Sequence, residues 1–393
     1  MRYCLFTLSL FVLSNVGAQT SITDVLASVE VNNPRLKAGA QIVLSQKAEV
    51  ASQNTLADPG FEFSHLWGTE NAKDRKYDIA ISQSFDFPSL YVQRNRIGNL
   101  KQTLFDSQQE ALRQQVLLQA KELCLRIVCL NRTIQLADER QKAADELAQL
   151  YRKRLSSGDA NILDVNKIEI EQLNAATANT RLRNELTACV AQLRALNGGE
   201  PLPLSEASLA HYPDKELPAS FDDWKTQALA GDPELQSLRQ ENMIADKSVA
   251  LNRAGWLPKF ELGYRHAYEL GERFNGLSVG VSIPLFANRK QVKIAKAQAV
   301  AGALSLSDSE QQVWASLQTA YNDAVALKGN LEKFELLVRQ NNFELLQKAL
   351  AAGKISMVEY LVNATQLYEA FENRLSLEYE YQLCLARMYK FEL

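Results

Sequence analysis

The sequence predicts a mostly α-helical chain made of two tandem copies of one unit, each copy carrying a single β-hairpin. Three observations predict it. All ten prolines fall between positions 34 and 284, leaving two proline-free blocks, Ser89–Glu200 and Leu285–Leu393. Both are rich in Ala, Leu, Gln, Glu, Lys and Arg, which are strong helix formers, and they lack the residue that most effectively stops a helix. Ahead of each block, apolar and polar side chains alternate with the period of two that marks a strand. Matching features then recur in the same order at an offset of 195 to 199 residues.

Taken in order, residues 1–18 read as a secretory signal peptide. Arg2 supplies a positive start, Leu5 to Val16 is largely apolar, and Val16-Gly17-Ala18 ends in small residues suited to cleavage. Cys4 lies inside the apolar stretch rather than at its end, so the mature chain is expected to be exported without a lipid anchor. The first repeat then covers 19–197. It opens on a helix over about Ser21–Leu56, and the second repeat, 220–393, opens on its counterpart over about Ser220–Gly255. "SITDVLASVEVNNPRL" from Ser21 matches "SFDDWKTQALAGDPEL" from Ser220, which sets Asn33-Pro34 against Asp232-Pro233.

Each opening helix leads into a hairpin, over about 57–88 and 257–286. Phe61, Phe63 and Trp67 share one phase, as do Tyr77, Ile79, Ile81, Phe85 and Phe87. Phe260, Leu262, Tyr264 and Tyr268, then Leu277, Val279, Val281 and Ile283, repeat the pattern in the second copy. Strands of about ten residues with polar, charged connections are long enough to cross a bilayer. A small soluble sheet packed on helices is the alternative. Four strands cannot close a barrel, since even small membrane barrels need about eight. If the hairpins lie in a membrane, several chains must share one barrel.

The proline-free blocks then predict long helices over about Tyr91–Ser156 and Asn288–Ala351, roughly 95–100 Å each at ~1.5 Å per residue. Turns at 156–161 and 351–356 follow. Gly158 and Gly353 suit the left-handed residue that ends a helix, and Asn161 and Ser356 suit the cap that starts the next. Shorter helices over about Asn161–Asn197 and Ser356–Glu392 complete each copy. Their seams, Leu182, Leu186, Cys189, Leu193, Leu196 and Leu377, Tyr381, Cys384, Met388, Phe391, both step 4, 3, 4, 3. Residues 198–219 link the copies.

Composition removes other classes. The net charge of −3 offers nothing to attract nucleic acid. Three scattered histidines, His65, His211 and His266, exclude a His-rich metal centre or zinc finger. No apolar run reaches eighteen residues, so the mature chain has no transmembrane helix. A phosphate-binding glycine loop, a nucleophile elbow and a metal-ligand cluster of the usual spacing are all missing from the sequence, so no enzyme, cofactor or resident metal is expected.

The order of signal peptide, "NNPRL" helix, hairpin ending in "FDFPSL", long helix, "SSGDANILDV" turn and short helix, repeated with "SIPLF" and "AAGKISMVEY", resembles the TolC family of outer-membrane efflux ducts. The resemblance covers essentially the whole mature chain. The compact length, the Asn-Pro pair and "LPKFEL" are most similar to the heavy-metal, CzcC-like branch. It implies a homotrimer in which four strands per chain build a shared 12-stranded barrel in the outer membrane, continued by a periplasmic helical tunnel. It also implies a periplasmic adaptor, an inner-membrane pump of the RND type, and contact with outer-membrane lipid. The implied function is the exit duct of a tripartite efflux system for metal cations or small toxic compounds. The outer-membrane part of a type I protein secretion system, or a periplasmic coiled-coil scaffold, are the alternatives.

The resemblance places the two helix turns at the periplasmic tips, where the tunnel narrows and the adaptor docks, and makes Gly158, Asp164, Gly353 and Glu359 aperture candidates. Repeated threefold, Glu359 would give a ring of carboxylates favouring cations. The family's further acidic position three residues later is Val362 here. The plainer reading of Asp164 and Glu359 is that both are first-turn acids favoured by the helix dipole. Counting outward from the first turn sets Cys129 and Cys189 at nearly the same level, so a disulfide between them and buried free thiols are both open.

Overall fold

The computed structural model describes residues 21–69, 75–202, 209–269, 271–286, 289–338 and 342–393. The expected signal peptide, 1–18, lies outside the described residues, as do six residues of the linker, 203–208. The chain divides into two compact units. One gathers the described residues of Met1–Pro34, Val116–Leu217 and Asn322–Arg387; the other gathers Arg35–Gln115, Pro218–Tyr321 and Met388–Leu393. Each unit therefore draws on both sequence repeats.

The elements recur as the offset predicts, with one correction. Each opening helix is two helices. In the first copy these are α1, Ile22–Asn32, and α2, Pro34–Ser52. The residue before a proline is driven out of the α region by the ring, and Asn33 accordingly sits at ψ 120°. The second copy breaks at the equivalent place. There α5, Phe221–Gly231, gives way to α6, Pro233–Ala254. Asp232, at ψ 112°, serves as the cap of α6, its carboxylate accepting from the Glu234 and Leu235 amides. The single helix expected over Ser21–Leu56 and over Ser220–Gly255 is therefore interrupted at the matching Asn33-Pro34 and Asp232-Pro233 pairs.

Between and after these come the strands β1 (Gly60–Trp67), β2 (Arg75–Phe85), β3 (Lys259–Glu269) and β4 (Glu272–Ser282). They form one antiparallel sheet in the order β1-β2-β3-β4. The first long helix, α3, runs Pro88–Ser156 with its proline in the first turn, where a missing amide costs nothing. The expected second long helix is described as α7, Gln291–Val338, and α8, Asn342–Ala351, with 339–341 outside the described residues. The shorter helices are α4, Ile162–Leu196, and α9, Met357–Met388, the latter followed by a short 3₁₀ turn at Lys390–Glu392.

In the first unit, α3 is clasped by ion pairs on two sides. Arg126, Arg140 and Arg152 meet Glu185, Glu171 and Glu169 of α4, the last two pairs at 2.8 Å. Glu122 and Arg132 meet Arg387 and Glu378 of α9 at 2.8 and 2.6 Å. On α3 the partner numbers rise as those on α4 and α9 fall, so both neighbours run antiparallel to it. Leu125, Val128, Leu130 and Leu193 are fully buried beside these pairs. Burial of that kind stabilises each leucine or valine by roughly 1.5–3 kcal/mol, well above what exposed ion pairs contribute. The charges set register; the apolar seam supplies the stability.

In the second unit, Trp224 of α5 packs edge-on against Tyr389, with ring centroids 5.8 Å apart, and lies beside Phe221 and Phe391. Lys390 reaches the nearly buried Asp232 at 2.8 Å. This aromatic cluster explains why the last few residues belong to a different unit from the helix that precedes them.

Candidate functional site: a two-faced sheet and two helix turns

The sheet has one mainly apolar and one mainly polar face in continuous register, with His266 and Asn275 on the first and Leu66 and Phe274 on the second. Phe61, Ile81, Tyr264 and Leu277 stand in one cross-strand row, and Phe85, Phe260 and Val281 in another. Side chains alternate across a pleated strand, so the residues between them point the other way. That second face carries Glu62, Asp78, Glu261, Arg265, Glu269 and Glu272, with glycine and serine at 276, 278, 280 and 282 of β4. Asp78 is buried there and accepts a bidentate contact from Arg265. Lys76 and Glu269 pair at 2.9 Å. The apolar face, in contrast, is open: Leu277 is 86% exposed, Val279 72%, Phe61 70% and Trp67 69%. Contiguous exposed apolar surface of this kind is rare on monomeric soluble proteins and marks a contact with another protein or a membrane. The outer strands, β1 and β4, each pair on one side only.

The two helix turns lie in the other unit and are built alike. After α3, the Asp159 amide bonds the Arg154 carbonyl at 2.8 Å and Gly158 takes φ +81°. After α8, the Lys354 amide bonds the Ala349 carbonyl at 2.9 Å and Gly353 takes φ +66°. Both are glycine-terminated helix ends in which a six-residue hydrogen bond satisfies an orphan carbonyl. Asn161 caps α4 by accepting from the Leu163 amide at 3.0 Å. Ser356 caps α9 more completely. Its hydroxyl accepts from the Glu359 amide at 3.2 Å while the Glu359 carboxylate accepts from the Ser356 amide at 2.8 Å. The Ser356 amide first, and then the Ser356 hydroxyl donating to the same carboxylate, hold the Glu359 carboxyl below the usual glutamate range.

Gly158, Asp164, Gly353 and Glu359 thus take equivalent places in two turns. The glycines end one helix, and the acids stand in the first turn of the next. What joins the turns was not legible in the sequence. Ala148 and Tyr151 of α3, Val165 and Ile168 of α4, and Met357, Tyr360, Ala364 and Tyr368 of α9 form one buried cluster. Arg140 lies 5.3 Å over the Tyr368 ring while pairing with Glu171. Tyrosines at 360 and 368 are eight apart on α9, two helical turns, and that spacing was the signal available. Leu163 and Val358, equivalent in the two copies, remain exposed beside the acids.

The four cysteines among the described residues are free, Cys129 and Cys189 included, so the bridge between those two is not made. The Cys129 thiol instead points at the Leu375 carbonyl, 3.9 Å away, and burial raises the pKa of both thiols. Among the described residues no group of three or more His, Cys, Asp or Glu stands close enough to hold a metal ion, and no helix is long and apolar enough to cross a membrane.

The family described as outer membrane efflux protein matches residues 224–391. The alkaline protease secretion protein AprF of Pseudomonas aeruginosa is 24% identical over 342 residues, covering 80% of this chain and 70% of that protein. Among solved structures, CusC, described in terms of folding and transmembrane channel formation, superposes with a TM-score of 0.78 at 16% identity, covering 94% of this chain and 91% of that one. The CmeC outer membrane channel of Campylobacter jejuni superposes at 0.77 and 14%, covering 94% and 85%. The chain therefore has the TolC-like fold, mostly helical with a four-stranded sheet.

Proposed function

We propose that this chain is one protomer of an outer-membrane exit duct, a TolC-like channel of the outer membrane efflux protein kind. The observation that carries the reading is the sheet. It has one broad apolar face and two unpaired edges, and open edges in lipid leave backbone groups without partners at a cost of several kcal/mol each. Closure with other copies removes those edges. Three copies of a four-stranded sheet bring twelve strands, enough for a barrel with an open lumen. The apolar face then meets lipid, and the face bearing Glu62, Asp78, Glu261 and Arg265 lines water.

In this reading the helices continue the duct into the periplasm and the Gly158 and Gly353 turns form its inner end. Leu163 and Val358, exposed at those turns, are the side chains a periplasmic adaptor meets, and an inner-membrane pump of the RND type drives cargo through it. The duct itself is passive: it needs a hydrated, sealed path rather than a catalytic group. Small toxic compounds or metal cations are the cargo of this reading, with the heavy-metal branch as its narrowest form. A second reading, the outer-membrane part of a type I protein secretion system, is favoured by the likeness to AprF.

The test is the mass, shape and conductance of the detergent-solubilised mature protein. An elongated trimer that forms pores in planar bilayers is expected, and a soluble monomer in the periplasmic fraction would overturn the duct and favour a scaffold. Cargo separates the two readings. Deletion strains that become sensitive to metal salts or dyes support efflux, whereas loss of an extracellular protein with unchanged sensitivity supports secretion.

A further inference from the structure

The apolar face of the sheet is not uniform along the strands. At the end next to the strand connections, one cross-strand row holds His65, Tyr77, Tyr268 and Arg273, and the next holds Trp67 and Arg75. His65 lies flat on Tyr77, centroids 4.5 Å apart and planes 2° from parallel, and Tyr77 stands 6.2 Å from Tyr268. At the other end the rows Phe85–Phe260–Val281 and Gln83–Leu262–Val279 contain no basic residue. All five carboxylates of the strands, at 62, 78, 261, 269 and 272, alternate onto the opposite face. Arg75 and Arg273 are exposed, and among the described residues neither has an ion-pair partner. Among the described residues these two arginines are unpaired, on a strand face that carries no carboxylate and whose other polar groups include His65, His266, Asn275 and Gln83, and packing within the sheet does not explain them.

We propose that this end of the apolar face binds the phosphate groups of a phosphorylated glycolipid in the outer leaflet. The inference rests on the duct reading above, which puts this face against lipid and its connection end farthest from the periplasmic helices. Aromatic side chains with a polar edge settle at a membrane–water interface, and a guanidinium there finds phosphate rather than carboxylate as its bidentate partner. The two arginines are two strands and one pleat step apart, about 12 Å between Cα atoms at ~4.8 Å per strand and ~3.4 Å per residue. That spacing suits a headgroup carrying two phosphates, with Trp67, Tyr77 and Tyr268 against its sugar and upper acyl carbons. The one-sided placement of charge commits the site to one leaflet.

The experiment uses the full-length protein purified in a neutral detergent, first shown to be a trimer by light scattering. It is exchanged into mixed micelles containing lipid A as the bis-phosphorylated glycolipid, its dephosphorylated form, or phosphatidylglycerol, and retained lipid is measured by native mass spectrometry. Wild type is expected to retain the bis-phosphorylated lipid selectively. Each of Arg75→Gln and Arg273→Gln should weaken retention about fivefold and the double variant about 25-fold, the size expected for basic residues at an anionic surface. Lys76→Gln, next to Arg75 but on the other face, should leave it unchanged. Equal retention by the double variant, equal retention of the dephosphorylated lipid, or equal binding of phosphatidylglycerol overturns the proposal. So does full displacement by millimolar inorganic phosphate, which would make the ligand a free anion. A trimer that fails these tests sinks this inference alone, whereas a soluble monomer sinks the duct reading with it.

Discussion

A Cβ placed on Gly198 would stand 2.7 Å from the carbonyl oxygen of Asn32, so these residues are neighbours only because one of them has no side chain. Gly198 also takes φ +69°, a conformation that favours glycine. Around this contact the Asn33 side chain donates to the Leu196 carbonyl at 2.8 Å. The fully buried Asn197 accepts from Ser28 at 3.0 Å and donates to the Glu200 carbonyl at 3.1 Å. The start of the first repeat is thereby tied to its end. Gly198→Ala should destabilise by about 2–4 kcal/mol through left-handed strain and steric clash together. Gly199→Ala, also at positive φ but with open space around it, should cost only the strain, about 1–2 kcal/mol. Urea unfolding of both variants, followed by circular dichroism, checks the difference; equal losses would mean the Asn32 contact contributes nothing.

The two-faced sheet makes opposite predictions for neighbouring residues of β4. Leu277 is 86% exposed in one chain and shares its row with Phe61, Ile81 and Tyr264. If that row meets the middle of a bilayer, Leu277→Arg costs about 2–4 kcal/mol and heat-stable trimers disappear from outer-membrane fractions. Ser278→Arg points into the water-filled side and should assemble normally with altered conductance. In a soluble scaffold neither substitution would matter, because exposed positions tolerate charge. Immunoblots of unheated membrane samples distinguish the outcomes.

How much of this was legible beforehand follows from the range of the forces involved. The strand faces were readable because alternation is local: Phe61, Phe63 and Trp67 declare their side without reference to any partner. The glycine turns were readable for the same reason, as φ +81° at Gly158 and +66° at Gly353 are requirements of one residue each. The break at Asn33 was local too, and was missed because helical composition on both sides outweighed the single Asn-Pro signal. What sequence could not give was any contact between segments far apart in the chain. The Ala148–Tyr151–Ile168–Tyr360–Tyr368 cluster joins residues up to about 220 positions apart, and the Asn32–Gly198 contact joins residues about 166 apart, so no local periodicity announces either.

The free thiols give a chemical check on the helical seam. Burial pushes the Cys124 thiol up to about 12 and raises the other three as well. A thiol held so high is almost wholly protonated at pH 8 and does not attack an alkylating reagent. In the folded protein iodoacetamide should therefore leave Cys124 unmodified, and in denaturant all four mature cysteines should react. Intact mass after alkylation reads this directly. Two unreactive thiols that become reactive only after reduction would show that Cys129 and Cys189 are bridged in the exported protein.

Glu359 allows its two readings to be separated by one conservative change. As a cap, its carboxylate accepts from the Ser356 amide, and a glutamine oxygen can do the same. As part of a threefold ring at a duct entrance, its negative charge is what matters, and glutamine removes it. Glu359→Gln should therefore preserve thermal stability under either reading, while reduced cation preference in bilayer recordings would reveal the ring. Ser356→Ala removes the hydroxyl half of the cap and should cost about 1 kcal/mol with selectivity unchanged. The pH dependence has a definite sign. The folded carboxyl titrates below its usual value of about 4.5, so its contribution is present above that pH and is lost as pH falls through the lowered value. Protection of the first-turn amides of α9, followed by hydrogen exchange between pH 6 and 3, should fall over that lower range in wild type and stay flat in Glu359→Gln. A flat profile in both proteins would remove the carboxylate from the cap and leave the ring as the reason for an acid at this position.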